Sequence, residues 1–192
     1  IVDEAHATGC YGPTGAGLIE ASNTRDQVFA SVHTCGKALG THGGYVIVDP
    51  EIRDFLVQCC RPFIFTTSLP DAIATATVRN VQKVQNDSKP RELLEKHAAF
   101  VTTALLEIFK GRVEFNEQAR SNILPILLGS DERASAWATA LLEHGLRVPA
   151  IRSPAVPDGR AILRISVRAD HTKQQLTQLV DAVATLAKSE GL

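Results

Sequence analysis

The chain has 192 residues, 44% of them hydrophobic and 21% charged, with a formal net charge of −1. That is enough for one sizeable domain or two small ones of ordinary globular composition. It shows no basic stripe and no apolar run of the roughly twenty residues that a bilayer demands, which argues against nucleic acid and membrane as partners.

In chain order, residues 1–5 read as the end of a buried strand, and 9–17 as a loop with four glycines and one proline. Residues 28–34 and the β-branched stretch 43–48 read as two further strands. Asp49-Pro50 opens a helix that runs to about Cys60, where Arg61-Pro62 stops it. Residues 63–68 read as extended. Ser68 is a cap candidate for a helix to Gln85, with Asp71 three residues on. A breaker at 86–90 precedes a long helix over 91–110, ended by Gly111, with Leu94, Ala98, Val101, Leu105 and Ile108 on one face.

The remainder reads as a small α/β unit. It has a strand at 122–128 and a helix at 131–144 that places Ala134, Trp137, Leu141 and Leu142 on one face. An extended segment follows at 146–151, then a proline-stiffened loop at 152–159 and a strand at 161–167. A helix over 172–188 opens with Thr172 and Gln175 as a capping box and buries Leu176, Leu179, Val180, Val183 and Leu186. Cysteines at 10, 35, 59 and 60 form no CxxC pair, so neither zinc nor a disulfide framework is indicated and a reducing, cytoplasmic setting is the default. The chain opens on Ile-Val-Asp and contains no Met, the pattern of a C-terminal portion of a longer protein.

Two segments carry the chemistry. VDEAHATG (2–9) is a short strand ending in an acid, and HTCGKALG (33–40) places Lys37 between Gly36 and Gly40. A lysine amine can form a Schiff base with the aldehyde of pyridoxal phosphate (PLP), and a carboxylate can keep the pyridine nitrogen protonated so that the ring accepts electrons. Asp3 is the candidate carboxylate, and the competing reading is a loop acid or helix cap. His6 lies in the turn after the strand, placed to contact the cofactor's phenolic oxygen. Lys37 would be a usable base once desolvated; otherwise it is a solvated loop lysine. Thr34 can offer its hydroxyl to the phosphate, and Thr66, Thr67 and Ser68 form a hydroxyl cluster before a helix start, an anion site or simple capping. Arg152, in the stiff loop, and Arg164, in an apolar strand, are candidate clamps for substrate carboxylates, with a structural ion pair as the alternative for Arg164. Residues 3–6 also spell the DEAH box of helicase-type ATPases. That reading needs a phosphate-cradling GxxxxGK[ST] loop and basic patches, and neither is present.

These residues resemble a family. VDEAHATG, YGPTGAG (11–17), HTCGKALG, RPFIFTTSLP (61–70), AIRSPAVP (150–157) and LRISVRADHT (163–172) are together similar to the α-oxoamine synthases, PLP enzymes of fold type I. The segment 150–157 is most like the family's biotin-pathway branch, apart from Ala155, where a Thr is common. The resemblance implies an α/β fold in which residues 1–88 end the sheet of a large PLP-binding domain, and residues 89–192 form a linking helix and a small C-terminal α/β domain. It implies an acyltransferase that condenses an amino acid with an acyl thioester and loses carbon dioxide. Lys37 would hold the cofactor, Asp3 its pyridine nitrogen, His6 its phenolic oxygen, and Thr34 its phosphate. Thr67 would reach the phosphate in the neighbouring subunit of a homodimer with a shared active site, and Arg152 and Arg164 would bind substrate. A sister member of the family, or a non-catalytic protein of PLP fold, is the rival reading.

Overall fold

The structure, a computed structural model, describes residues 1–109 and 121–191. The expected stop at Lys110 and Gly111 lies outside the described residues. The chain is mixed α/β and divides into two compact units, Ile1–Arg91 and Glu92–Leu192.

The first unit is built on a three-stranded sheet of order β1 (Val2–Asp3), β2 (Ser31–Thr34), β3 (Gly44–Ile47). β1 runs parallel to β2, with Asp3 opposite Val32; β2 and β3 are antiparallel, with His33 opposite Tyr45 and Thr34 opposite Gly44. Successive side chains alternate between the faces of a strand. Asp3, Val32, Thr34 and Val46 therefore share one face, and Ser31, His33, Tyr45 and Ile47 the other. A short helix α1 (Leu18–Ser22) follows the glycine loop.

After β3 come α2 (Pro50–Cys59), α3 (Arg61–Ile64) and α4 (Asp71–Asn86). α3 corrects the extended reading at Phe63 and Ile64, the first two residues of the 63–68 stretch. Pro62 sits in a first helical turn, where its missing N–H would have had no partner anyway, so it starts a turn of helix instead of preventing one. α4 begins later than Ser68 suggested. Its cap position is Pro70, with no side-chain cap, because proline disfavours helical geometry at the residue before it and so sets the boundary.

α5 (Lys89–Phe109) takes Pro90 into its first turn and so starts two residues before the expected 91. The second unit is a sheet of order β4 (Ile123–Gly129), β6 (Ala161–Ser166), β5 (Ala150–Ile151), antiparallel throughout, with α6 (Asp131–Glu143) and α7 (Lys173–Ser189). Buried and half-buried residues alternate along β4 and β6. Leu124, Ile126, Leu163 and Ile165 meet Val101, Leu105, Phe109, Trp137, Leu141, Leu176 and Val183 in one continuous core. Phe109 and Trp137 stack at 6.3 Å, and the Trp137 indole N–H donates to Glu190 at 2.7 Å. The Thr172–Gln175 capping box forms in full. Leu142, expected on the buried face of α6, is 58% exposed. It directly follows the fully buried Leu141, and one step of about 100° carries it off the buried stripe. Val180 and Leu186 are half-buried flanks of the α7 stripe, not part of its buried centre.

Candidate active site

β1 and the loop after it are fixed by their own polar groups. One oxygen of Asp3 accepts the Ala5 N–H at 2.8 Å. The neighbouring acid, Glu4, is buried and points to the other side. Its carboxylate accepts the backbone N–H groups of Leu18 (2.9 Å) and Ile19 (2.7 Å), the open donors at the start of α1. A Cβ built on Gly17 would meet that carboxylate at 2.5 Å, and φ there is 131°, so this position takes glycine for two independent reasons. Glu4 thus folds the glycine loop back onto β1. Two acids adjacent in sequence have separate duties because strand alternation sends them to opposite faces.

The Lys37 turn is equally well defined. Cys35 N donates to Gly43 O (2.9 Å), Thr41 N to Cys35 O (2.8 Å) and Gly40 N to Lys37 O (3.0 Å). α4 braces it from below, with Asn80 Nδ2 donating to Leu39 O at 2.7 Å and Thr41 Oγ1 bonded to Thr77 Oγ1 at 2.8 Å. A Cβ on Gly9 would stand 2.7 Å from Ala38 Cβ, which shows how closely the loop after β1 approaches the Lys37 turn. A Cβ on Gly43 would lie 2.7 Å from Leu69, so the 66–70 segment also borders that turn.

The structure therefore gathers Asp3, Thr34 and the Lys37 turn in one unit, with Asp3 and Thr34 on one sheet face. Three polar groups there lack partners among the described residues: the second oxygen of Asp3, the Lys37 amine, and Thr34 Oγ1, which is buried without a hydrogen bond. A buried hydroxyl with no partner is costly unless a ligand satisfies it. Lys37 is exposed, between the exposed Gly36 and Gly40. His6 is exposed as well. Thr66 and Thr67 stand five and four residues before the first residue of α4, away from the helix N-terminus, since Pro70 displaced the start. Among the described residues they make no hydrogen bond to Asp3, Thr34 or Lys37.

In the second unit, Arg152 Nη1 donates to Ser135 Oγ on α6 at 3.1 Å, on the helix-covered side of the sheet. Arg164 alternates with the buried Leu163 and Ile165 and so projects from the other face, its guanidinium without a partner among the described residues. The structural ion pair considered for it does not form there, and the two arginines are not gathered into one clamp.

Sequence reasoning missed His33, Thr8 and Glu4. His33 is buried on the face opposite Thr34, with Nδ1 2.7 Å from Thr8 Oγ1, Nε2 2.9 Å from Ser31 Oγ, and its ring stacked on Tyr45 at 4.7 Å. Burial holds its pKa below the ordinary 6.5, although Glu4 and Asp3 pull the other way. The signal was present in the alternation Ser31, His33 against Val32, Thr34. A cavity of about 400 Å³ bordered by His33, Tyr45, Thr77 and Gln82 lies on this rear face, not over Asp3 and Thr34. Its wall is mostly apolar and it is not the site described above.

The pattern of the aminotransferase class I and II family matches residues 1–183, and the chain belongs to that family. Among its relatives, 8-amino-7-oxononanoate synthase of Anaeromyxobacter dehalogenans is 38% identical over 186 residues, which cover 96% of this chain and 46% of that protein. A solved structure of serine palmitoyltransferase from S. paucimobilis, with a bound PLP–myriocin adduct, superposes with a TM-score of 0.89 at 32% identity and covers 99% of this chain and 48% of that one. The 8-amino-7-oxononanoate synthase of Francisella tularensis gives 0.85 at 27% identity, covering 100% and 56%. The chain thus spans about half the length of the curated relatives it matches. The α/β fold expected from the motifs is borne out, and so is the family to which they pointed. Among the described residues no helix is long and apolar enough to cross a membrane.

Proposed function

We propose that this chain is the cofactor-holding half of a PLP-dependent acyltransferase that condenses L-alanine with a pimeloyl thioester, releasing carbon dioxide and the thiol, to give 8-amino-7-oxononanoate. The observation that carries this is a trio of unpartnered groups in the first unit: the free oxygen of Asp3 and the buried Thr34 hydroxyl on one sheet face, and the Lys37 amine on the turn after β2. They fit the cofactor's ring nitrogen, phosphate and aldehyde in type: an anion, a hydroxyl donor and a primary amine.

PLP, when bound, supplies an electron sink for a carbanion beside the substrate's amino nitrogen. Asp3 keeps a proton on the ring nitrogen. Its other oxygen is already occupied by the Ala5 N–H, which fixes the carboxylate's direction. Thr34, and Thr67 across a homodimer interface, donate to phosphate oxygens. His6 hydrogen-bonds the phenolic oxygen. Lys37 anchors the cofactor, then takes the Cα proton of alanine as general base. Arg152 and Arg164 pair with the carboxylates of the substrates. A nearby carboxylate and an amine that alternates between anchor and base need a turn held rigid from below, which the Asn80 and Thr77 contacts supply. On this reading residues 1–88 complete the cofactor domain and 89–192 form a linking helix and a small C-terminal α/β domain, in a cytoplasmic enzyme whose four thiols are free.

A second reading, a sister α-oxoamine synthase with another amino acid or acyl chain, is favoured by the serine palmitoyltransferase superposition. Two experiments on the full-length protein decide. Borohydride reduction with PLP should fix the cofactor on Lys37 in a peptide mass map; label elsewhere, or none, sinks the proposal. Turnover of alanine, serine and glycine against a series of acyl thioesters should be fastest for alanine with the pimeloyl donor.

A further inference from the structure

We propose that His33 is a positioning residue: as a neutral imidazole with its proton on Nδ1, it locks the loop carrying His6 to the strand carrying Thr34. The tautomer follows from counting protons. Thr8 has one hydroxyl hydrogen, and it is donated to Glu4 O at 2.9 Å. Toward His33 Nδ1, at 2.7 Å, Thr8 Oγ1 can then only accept, so Nδ1 carries hydrogen. The neutral ring has a lone pair at Nε2, and Ser31 Oγ, 2.9 Å away, donates to it. The result is a one-way chain from Ser31 to His33 to Thr8 to Glu4. It is buried at every side chain and backed by the stacked Tyr45 ring at 4.7 Å and an interplanar angle of 4°.

The chain's endpoints give it a role beyond packing. Thr8 lies two residues after His6, and His33 directly precedes Thr34. The other hydrogen bonds of Thr8 among the described residues stay within its own turn, from its N–H and hydroxyl to Glu4 O. The Thr8–His33 bond therefore ties this turn to β2 through side chains. Swinging the turn would move His6 relative to Thr34, two groups that the proposed function sets at opposite ends of one cofactor ring. The inference rests on that reading.

The test uses full-length protein. Nitrogen-15 NMR of the histidines, without cofactor and near neutral pH, should show His33 as the Nδ1–H tautomer, assigned by its loss in His33→Asn. PLP titration should then separate three variants. His33→Phe keeps the ring but has no donor, and Thr8→Val has no acceptor; each should weaken cofactor binding about tenfold, the loss of one buried hydrogen bond. His33→Asn, whose amide can donate from near the Nδ1 position, should stay within about threefold of wild type. A merely structural histidine would lower stability without this split between Asn and Phe. An Nε2–H tautomer, an imidazolium, or wild-type affinity in Thr8→Val overturns the proposal. If His33→Phe does not fold, the tautomer and Thr8→Val still decide. Failure of Lys37 to capture PLP in the wild type would instead sink the proposed function, while the tautomer measurement, which needs no cofactor, still judges the His33 network.

Discussion

The two units are stabilised in opposite ways. Glu92–Leu192 owns a continuous apolar core of buried Leu, Ile, Val, Phe and Trp side chains from both its sheet and its helices. Ile1–Arg91 buries mainly small residues, Ala5, Ala7, Ala30 and Cys35, together with Leu39 and the polar Glu4, Thr8, Ser31 and His33. None of the residues of α2, α3 or α4 is buried, and most of the exposed large hydrophobics among the described residues, Phe55, Phe63 and Phe65 included, lie in this unit. The candidate chemistry sits in the unit with the weaker apolar core. There, hydrogen bonds set geometry, and a hydrogen bond is directional where burial is not. The difference teaches which substitutions should hurt which property.

The largest effect should be functional and local. Lys37→Ala should lower turnover of the full-length protein by about 10²–10⁴-fold or more. Its melting temperature without cofactor should hardly change, because the side chain is exposed and unpartnered. A large loss of stability in the apoprotein would break the contrast. Next, Trp137→Ala should cost about 3–5 kcal/mol, since it empties a site only 1% exposed and leaves Glu190 without its indole donor. Denaturant unfolding followed by far-ultraviolet circular dichroism measures this, as the variant lacks the chain's only tryptophan.

Glu4→Gln should cost less, about 1–3 kcal/mol, because the amide group presents an N–H where two backbone N–H groups need acceptors. Hydrogen exchange should show the loosening confined to the 9–22 loop and α1, and protection lost across the second unit would refute the separation. Acid should also act on the first unit. The folded-state pKa of His33 is depressed, chiefly by burial and against the pull of Glu4 and Asp3. The unfolded chain therefore takes the proton first. The stabilisation is complete above the ordinary 6.5 and is lost as pH falls through the window beneath it. Protection factors in β2, corrected for intrinsic exchange, should fall over that range in wild type and respond less to pH in His33→Asn. Smallest of all, Phe55→Ala should change the stability of the chain by no more than about 0.5 kcal/mol, because that ring is 62% exposed.

Where a local rule governs, the amino-acid sequence alone was decisive. Short apolar stretches marked β4 and β6, and the 3.6-residue period marked α6 and α7. A hydroxyl three residues ahead of an amide made the Thr172–Gln175 box. The glycine-flanked lysine and the strand-end acid stood out as candidates because few residue types can serve the proposed chemistry at either place. Tertiary structure alone decided which neighbour of each such residue faces the other way. It turned Glu4 from the site side to α1, set His33 behind Thr34, put α4 beneath the Lys37 turn through Asn80, and left Arg152 and Arg164 on different sides of their sheet. The physical reason is range. Backbone propensity acts over a few residues, whereas the burial and pairing of a polar group depend on which distant segment the fold brings against it.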